Sequence, residues 1–193
     1  MSIKLKHSGG NSVSLNPPTS APTSSEVAFK LPNADGTAGQ VLKTDGSGNL
    51  SWVSQTNTPA FSVYRNGTQS TTSNTDTKVQ YNTENFDTNN TFDNSTNYRF
   101  TPAVSGKSFL VASVRIYGTT DFNNFIFEIR KNGTSVLRQQ NSFLHYECAI
   151  VSGIVTHNTT DYFEVFVNQA SGSNQDIMSG NDITYFMGYK LIE

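Results

Sequence analysis

Three histidines, His7, His145 and His157, are the side chains best suited to bind a metal ion or to move a proton near neutral pH. They are far apart in the sequence, and no two of them have the short spacing that is typical of zinc ligands. The sequence therefore predicts no metal centre.

Paired carboxylates are the next candidates for chemistry. Asp161 and Glu164 lie three residues apart in a segment with a strand pattern, and residues at an odd spacing on a strand point to opposite faces. The chain also has no Gly-x-Ser-x-Gly motif, no phosphate-binding loop and no recognisable Ser/His/Asp spacing. We therefore expect a protein that binds or assembles, without catalysis and without a cofactor.

Clusters of Asp and Asn at 87–90 and 121–124 offer the oxygen ligands that calcium prefers. The same residue types are common in turns, where their side chains accept hydrogen bonds from nearby backbone amides. The sequence favours ordinary turns, with calcium binding as the alternative.

The charge balance excludes some classes of partner. The chain has 13 Lys and Arg against 15 Asp and Glu, charged residues make up 15%, and the formal net charge is −2. Because nucleic-acid-binding proteins usually carry a basic stripe, we expect no nucleic-acid partner. No run of apolar residues is long enough for a membrane span, so no membrane insertion is expected.

The N-terminus and the single cysteine bear on the compartment. Residues 1–6 lack the apolar core of a signal peptide, so we expect no secretion by the usual route. The Asn-x-Ser/Thr triplets are then by-products of an Asn-rich and Thr-rich composition. Cys148, the only cysteine, cannot form an intrachain disulfide and is predicted to be a small buried hydrophobe.

The residue composition changes near residue 55, and this change predicts an extended anchor over 1–55 and a separate domain over 56–193. Before this point Gly, Ser, Pro and Thr dominate, and β-like patterns occur only around Ile3 and Leu5, around Val27 and Phe29, and in a hairpin at 40–53. The anchor has too few apolar residues for a core of its own. It must therefore order against another copy or another protein.

From residue 59 onward, segments with strand patterns alternate with turn signals, and no helical period runs for three turns. This pattern predicts an all-β domain, a two-sheet sandwich or jelly roll. The predicted strand segments are 61–65, 78–81, 97–101, 108–117, 125–130, 142–156, 162–167 and 183–192.

The segment 108–117 has apolar residues on both of its faces. One face carries Phe109, Val111, Ser113, Arg115 and Tyr117, and the other carries Leu110, Ala112, Val114 and Ile116. A strand that is buried on one face only would alternate more cleanly. One face is therefore expected to fill the sandwich and the other to meet neighbouring copies, the alternative being a cover of loops.

The order of motifs in 59–193 resembles the globular head of the complement first-component q subunit, in the tumour necrosis factor-like family. The resemblance implies a ten-strand-type jelly roll that forms a homotrimer. The motifs are Pro59-Ala60-Phe61-Ser62-Val63, Val79-Gln80-Tyr81-Asn82, Thr91-Phe92-Asp93, the stretch 98–109, Phe127-Glu128-Ile129-Arg130-Lys131-Asn132-Gly133, Asp161-Tyr162-Phe163-Glu164-Val165 and Tyr185-Phe186-Met187-Gly188-Tyr189-Lys190-Leu191.

Residues 31–52 have a resemblance of their own. The string Gly39-Gln40-Val41-Leu42, followed by Asp45-Gly46-Ser47-Gly48 and Leu50-Ser51-Trp52, is similar to the attachment segment of virion appendage proteins of tailed phages, particularly marine, cyanophage-like ones. In such fibres three chains often intertwine. The resemblance implies that Val41, Leu42, Leu50 and Trp52 are buried together between chains.

Together these features predict a homotrimeric structural protein of a phage virion, a tail fibre or knob appendage. Residues 1–55 would bind other virion proteins, and the head could contact a glycan or protein of the host surface. Two alternatives remain open. One is a capsid head-decoration protein without host binding, and the other is a non-viral, carbohydrate-binding, lectin-like module.

Overall fold

A computed structural model describes residues 3–16, 18–23, 26–118, 120–143 and 146–192. His145, one of the histidines considered above, lies outside these ranges. The chain divides into two compact units, Met1–Gln55 and Thr56–Glu193. We refer to them as the anchor unit and the knob.

The anchor unit contains two antiparallel hairpins. The first joins β1 (Ile3–Lys6) to β2 (Ser12–Leu15), and the second joins β3 (Gln40–Thr44) to β4 (Leu50–Ser54). The second hairpin was predicted from its Gly-rich turn, and that prediction is confirmed.

The strand predicted around Val27 and Phe29 is wrong. Residues 26–29 have no strand pairing, and only Lys30 forms a bridge, which is parallel and to Asn49. Its backbone bonds are Lys30 N–H to the Gly48 carbonyl at 2.8 Å and Leu50 N–H to the Lys30 carbonyl at 2.9 Å. Because the turn of the second hairpin reaches only this residue, the rest of the segment has no partner strand to pair with.

The knob is built from strands that pair antiparallel. They are β5 (Ala60–Tyr64), β6 (Gln69–Thr71), β7 (Thr77–Lys78), β8 (Thr83–Asp87), β9 (Phe92–Asp93), β10 (Arg99–Phe100), β11 (Gly106–Tyr117), β12 (Phe122–Lys131), β13 (Thr134–Phe143), β14 (Tyr146–His157), β15 (Phe163–Gln169), β16 (Gln175–Ile177) and β17 (Tyr185–Lys190).

These strands form two sheets. In the β11 sheet the order is β6-β16-β11-β17-β5-β8, and β14 pairs with β11 along its whole length. In the β12 sheet the order is β13-β12-β15-β10-β9, and β7 pairs with β15. Strands distant in sequence, such as β5 and β17, are neighbours, as they are in a jelly roll. The predicted all-β jelly roll is therefore confirmed.

The core lies between the two sheets and is dominated by aromatic side chains. The ring of Phe61 on β5 lies 4.3 Å from that of Phe100, 4.9 Å from that of Phe186 and 5.3 Å from that of Phe92, centroid to centroid. All four side chains are buried. Contacts at these distances stabilise the fold beyond simple area burial, so this cluster fastens the first and last strands of the knob to its interior.

Several strand predictions differ from the structure in their bounds, and the segment 142–156 contains the end of β13 and most of β14. The predicted strand 78–81 ends at Lys78, the strand 97–101 is reduced to Arg99–Phe100, and the last strand begins at Tyr185 rather than at residue 183. Val79 and Tyr81 are buried but lie outside the strand, although the Val79 amide still donates to the Val165 carbonyl of β15 at 2.9 Å. Thr184 belongs to a turn that closes on Gly180.

In the described ranges the structure contains no helix of the length and apolarity that crossing a membrane requires.

Candidate interaction surface

The outward face of the β11 sheet is the first candidate site. On β11 the side chains of Leu110, Ala112 and Val114 are fully buried in the core, whereas Phe109 and Val111 alternate with them and face outward, half-buried. The alternation predicted from the sequence is confirmed. It follows that this face presents apolar side chains away from the core of its own chain.

The strand registers extend β11 into cross-strand rows of outward-facing residues. Three consecutive rows, taken across β14, β11, β17 and β5, contain no charged residue. They are Ile154, Phe109, Tyr189 and Ala60; Ser152, Val111, Met187 and Ser62; and Ile150, Ser113, Tyr185 and Tyr64. Charged residues on β11 stand beyond these rows, at Lys107 and Arg115.

This face has a raised part and a hollow part. The raised part, the β14 ridge, is formed by Ile150 and Ile154, which are 53% and 60% exposed. The hollow part, the apolar recess, is a cavity of about 160 Å³. It is lined by Ala60, Phe61, Ser62, Phe86, Phe109, Val111, Met187, Gly188 and Tyr189.

This face exposes a substantial apolar area. Phe86 is 51% exposed and Tyr189 39% exposed, which leaves on the order of 80–100 Å² of each in contact with solvent. The rows, the ridge and Phe86 together expose on the order of 500 Å². The largest apolar patch of a single chain is usually about this size, and it is often functional.

The outward face of the β12 sheet is polar by contrast. Glu128 is almost fully buried and accepts a hydrogen bond from Arg130 at 2.5 Å, and the Arg130 guanidinium also binds Asp76 at 2.5 Å. The same guanidinium lies 4.2 Å from the ring centroid of Phe166. Lys78 pairs with Glu164 at 2.5 Å beside that ring. The charges of this network are therefore paired with one another.

Two further features lie near the C-terminal end of β11. Tyr117, a predicted interface residue, is 41% exposed, in agreement with an outward position. Cys148, on β14, pairs with Arg115 of β11 and is exposed, so the prediction of a buried cysteine is wrong. The reason is strand alternation, which buries its neighbour Ala149 and turns Cys148 outward.

The hairpin β3–β4 carries the predicted anchor residues. Its register pairs Leu42 with Trp52 and Thr44 with Leu50, so Leu42, Leu50 and Trp52 share one face. Val41 pairs with Val53 and faces the other way. Val41, Leu42 and Trp52 are exposed, and Leu50 is half-buried. Each face of the hairpin therefore offers apolar surface.

Trp52 is held in a defined orientation within the anchor unit. Its indole N–H donates to the Ala34 carbonyl at 3.0 Å. Gly36 lies under the ring, where a Cβ would stand 2.6 Å from Trp52 Cδ2. The turn of the hairpin is closed by Asp45, which accepts from the Ser47 and Asn49 amides and from the Asn49 side chain, and these bonds lower the pKa of Asp45.

Other apolar side chains of the anchor unit are also exposed. Leu5 and Leu15 are exposed on β1 and β2, and Val27, Phe29 and Leu31 are exposed along the unpaired segment. The alternation of Val27 and Phe29 was the only sequence signal for the latter group. It predicted a strand, which does not form.

One pair in the knob has the residue types of nucleophilic catalysis. His157 Nδ1 lies 2.9 Å from the Val104 carbonyl oxygen, and its Nε2 lies 2.8 Å from Ser108 Oγ. Ser108 is fully buried and His157 is 4% exposed, so a substrate has no access to the hydroxyl. Sequence reasoning missed this pair because its members are 49 residues apart and meet only through the β11–β14 register.

In the Asp-rich turns the carboxylate oxygens accept hydrogen bonds from groups of the same chain. Asp87 accepts from the Asn89 and Phe92 amides and the Thr91 hydroxyl. Asp161, which precedes β15 rather than lying on it, accepts from the Asn158 amide and the Asn132 side chain. Over the part of the chain that the structure describes, no three His, Cys, Asp or Glu residues form a group that could hold a metal ion.

Solved structures of other proteins have a similar fold. Murine APRIL aligns with 13% identity over 68% of this chain and 98% of its own, with a TM-score of 0.54. An Eiger TNF structure from S. frugiperda aligns with 8% identity over 69% of this chain and 92% of its own, with a TM-score of 0.50. These likenesses support the jelly-roll assignment at the level of fold.

The globular domain of the zebrafish complement 1qA protein aligns with 21% identity over 70% of this chain and 98% of its own, with a TM-score of 0.45. No family model matches the sequence, and no curated protein matches it.

Proposed function

We propose that this chain is a structural protein of a phage virion, a non-enzymatic homotrimeric appendage. The anchor unit joins it to other virion proteins, and the knob is displayed outward. The observation that carries this proposal is the uncharged, apolar outward face of the β11 sheet, which offers copies of the chain a surface on which to assemble.

Burial of that face gives a physical reason for assembly. At roughly 25 cal/mol per Å², covering on the order of 500 Å² of apolar area contributes on the order of 12 kcal/mol before the cost of association is subtracted. Phe109, Val111 and Tyr117, named from the sequence as interface candidates, all lie on this face.

The anchor unit supports attachment in a similar way. Its hairpins expose Leu5, Leu15, Leu42 and Trp52, and a two-stranded hairpin is marginal alone in water. A partner surface that covers these side chains would order the unit. The phage setting rests on the resemblance of residues 31–52 to virion attachment segments.

Display on a trimer would also suit host attachment. Three identical sites on one rigid body bind a repetitive surface far more strongly than a single site does. The ligand class that fits this role is a glycan or a protein of the host surface.

Deletion of residues 1–55 tests the assignment. We expect particles that lack the appendage, together with a free knob that remains soluble and trimeric by native mass spectrometry. Incorporation of the truncated chain into particles would overturn the anchor role, and a monomeric full-length chain would overturn the trimer. Electron microscopy of intact particles then distinguishes an appendage on the tail from one on the head.

A further inference from the structure

The outward face of the β11 sheet is asymmetric, with the β14 ridge at one edge and the apolar recess toward the other. We propose that copies of this chain meet through a heterologous contact in which Ile154 of one copy fills the apolar recess of the next. This inference rests on the proposed homotrimer and specifies its joint.

Shape is the first argument. Ile154 is the more exposed of the two ridge residues at 60%, and the recess of about 160 Å³ has room for an aliphatic side chain. A cavity of similar size, roughly 150 Å³, lined by apolar residues stays dry and accepts a benzene molecule. An isoleucine side chain therefore fits the recess in size and in polarity.

The lining of the recess suits such an occupant. Phe86 and Tyr189 form exposed walls, and Met187 on β17 contributes an adaptable thioether that can close around a branched side chain. Protein interfaces pack at their centre as densely as interiors do, so a recess that stayed empty would leave its lining without contacts.

Height along the strands selects Ile154 over Ile150. A rotation about an axis parallel to the strands moves each residue around the axis without changing its level. Ile154 is in the row of Phe109 and Tyr189, which both line the recess. Ile150 is four residues further along β14, about 13 Å away at roughly 3.3 Å per residue.

Symmetry separates this contact from a dimer. A two-fold contact with its axis along the strands would also seat each ridge in the partner's recess, but it closes at two copies and cannot build the proposed homotrimer. A heterologous contact uses one ridge and one recess at each joint, and such contacts close into a ring when the rotation allows it. In a ring of three, every ridge and every recess is occupied.

Cysteine cross-linking tests the contact in the full-length chain. In a Cys148→Ser background, Ile154→Cys combined with Tyr189→Cys is expected to give disulfide-linked dimers and trimers under mild oxidation, seen on a non-reducing gel. Each single variant is expected to stay uncrosslinked, because residue 154 meets residue 189 only in a neighbouring copy. The matched control, Ile150→Cys with Tyr189→Cys, is expected to stay uncrosslinked, because a disulfide needs Cα atoms within about 7 Å.

The possible outcomes distinguish a failure of the Ile154–recess contact from a failure of the homotrimer. Cross-linking by Ile154→Cys alone or by Tyr189→Cys alone indicates a two-fold contact between like residues and overturns the proposal. Cross-linking by the 154/189 pair in a chain that is dimeric by native mass spectrometry indicates a two-fold contact between ridge and recess, and it overturns the proposal and the homotrimer. A chain that is trimeric by native mass spectrometry but not cross-linked by the 154/189 pair also overturns it, and leaves the homotrimer standing. A monomer refutes the homotrimer and this inference together.

Discussion

Replacing Ser108 with Ala should destabilise the knob by removing one buried hydroxyl. The Ser108 Oγ lies 2.8 Å from His157 Nε2, and the opposite ring nitrogen, Nδ1, lies 2.9 Å from the Val104 carbonyl oxygen. A carbonyl can only accept, so Nδ1 carries the proton and Nε2 accepts from the serine. Ser108→Ala therefore leaves a buried imidazole nitrogen without a donor.

The size of the effect follows from burial. Because both side chains are buried, water cannot replace the lost hydroxyl, and an unsatisfied buried acceptor costs about 1–3 kcal/mol. With a urea m value of about 1–3 kcal/mol/M, the unfolding midpoint falls by on the order of 1 M. The measurement is urea unfolding of the full-length chain by circular dichroism at pH 7.5, at one protomer concentration because association adds to apparent stability.

The matched control is Ser135→Ala, at an exposed position of β13 in the other sheet. A surface substitution of this kind changes stability by about 0.5 kcal/mol or less. If Ser108→Ala is no more destabilising than Ser135→Ala, then the Ser108–His157 bond does not contribute as the geometry indicates and the reasoning is refuted.

Three further substitutions test other parts of the structure. Burial lowers the pKa of His157, so the neutral imidazole stabilises the fold above the ordinary histidine pKa of about 6.5, and this contribution is lost as the pH falls through the folded-state pKa. The difference in unfolding free energy between wild type and His157→Gln should therefore shrink between pH 7.5 and pH 5. A difference that stays constant or grows would contradict this. Phe61→Leu removes the stacked contacts at the centre of the core and should cost about 1–3 kcal/mol in urea unfolding. Exposed Phe29→Leu should cause little change at the same protomer concentration, and equal effects would contradict the core assignment. Gly36→Ala places a methyl group 2.6 Å from the Trp52 ring and should shift the emission of this single tryptophan, so an unchanged spectrum would show that the ring does not lie on Gly36.

Local patterns were sufficient where a strand has distinct faces or a turn has a clear signal. The long strand β11 was predicted from residue 108 to its end, with its inward and outward faces assigned correctly, because alternation is set by the pleat itself. The hairpin around Asp45 was predicted because glycines allow the positive φ angles of its turn, here 82° at Gly46 and 86° at Gly48.

Elements that depend on distant partners were harder to predict. Most of β13 was missed, because its run Arg138-Gln139-Gln140-Asn141 has no apolar alternation and is held by pairing to β12. The recess and the Ser108–His157 pair were missed for a related reason. Each arises where strands distant in sequence meet, and one sequence does not state which strands those are.

The polar network on the β12 sheet has a consequence for how the molecule behaves in a crowded solution. Arg130 is held between Glu128 and Asp76, and its guanidinium lies over the ring of Phe166, so a fixed positive charge shields this aromatic ring. A particle that carries many copies would expose the polar outward face of the β12 sheet to its neighbours, while the apolar face of the β11 sheet would be buried within each oligomer. Crowded copies would then stay dispersed as colloids rather than adhere to one another, because hydrated charge opposes contact between such surfaces.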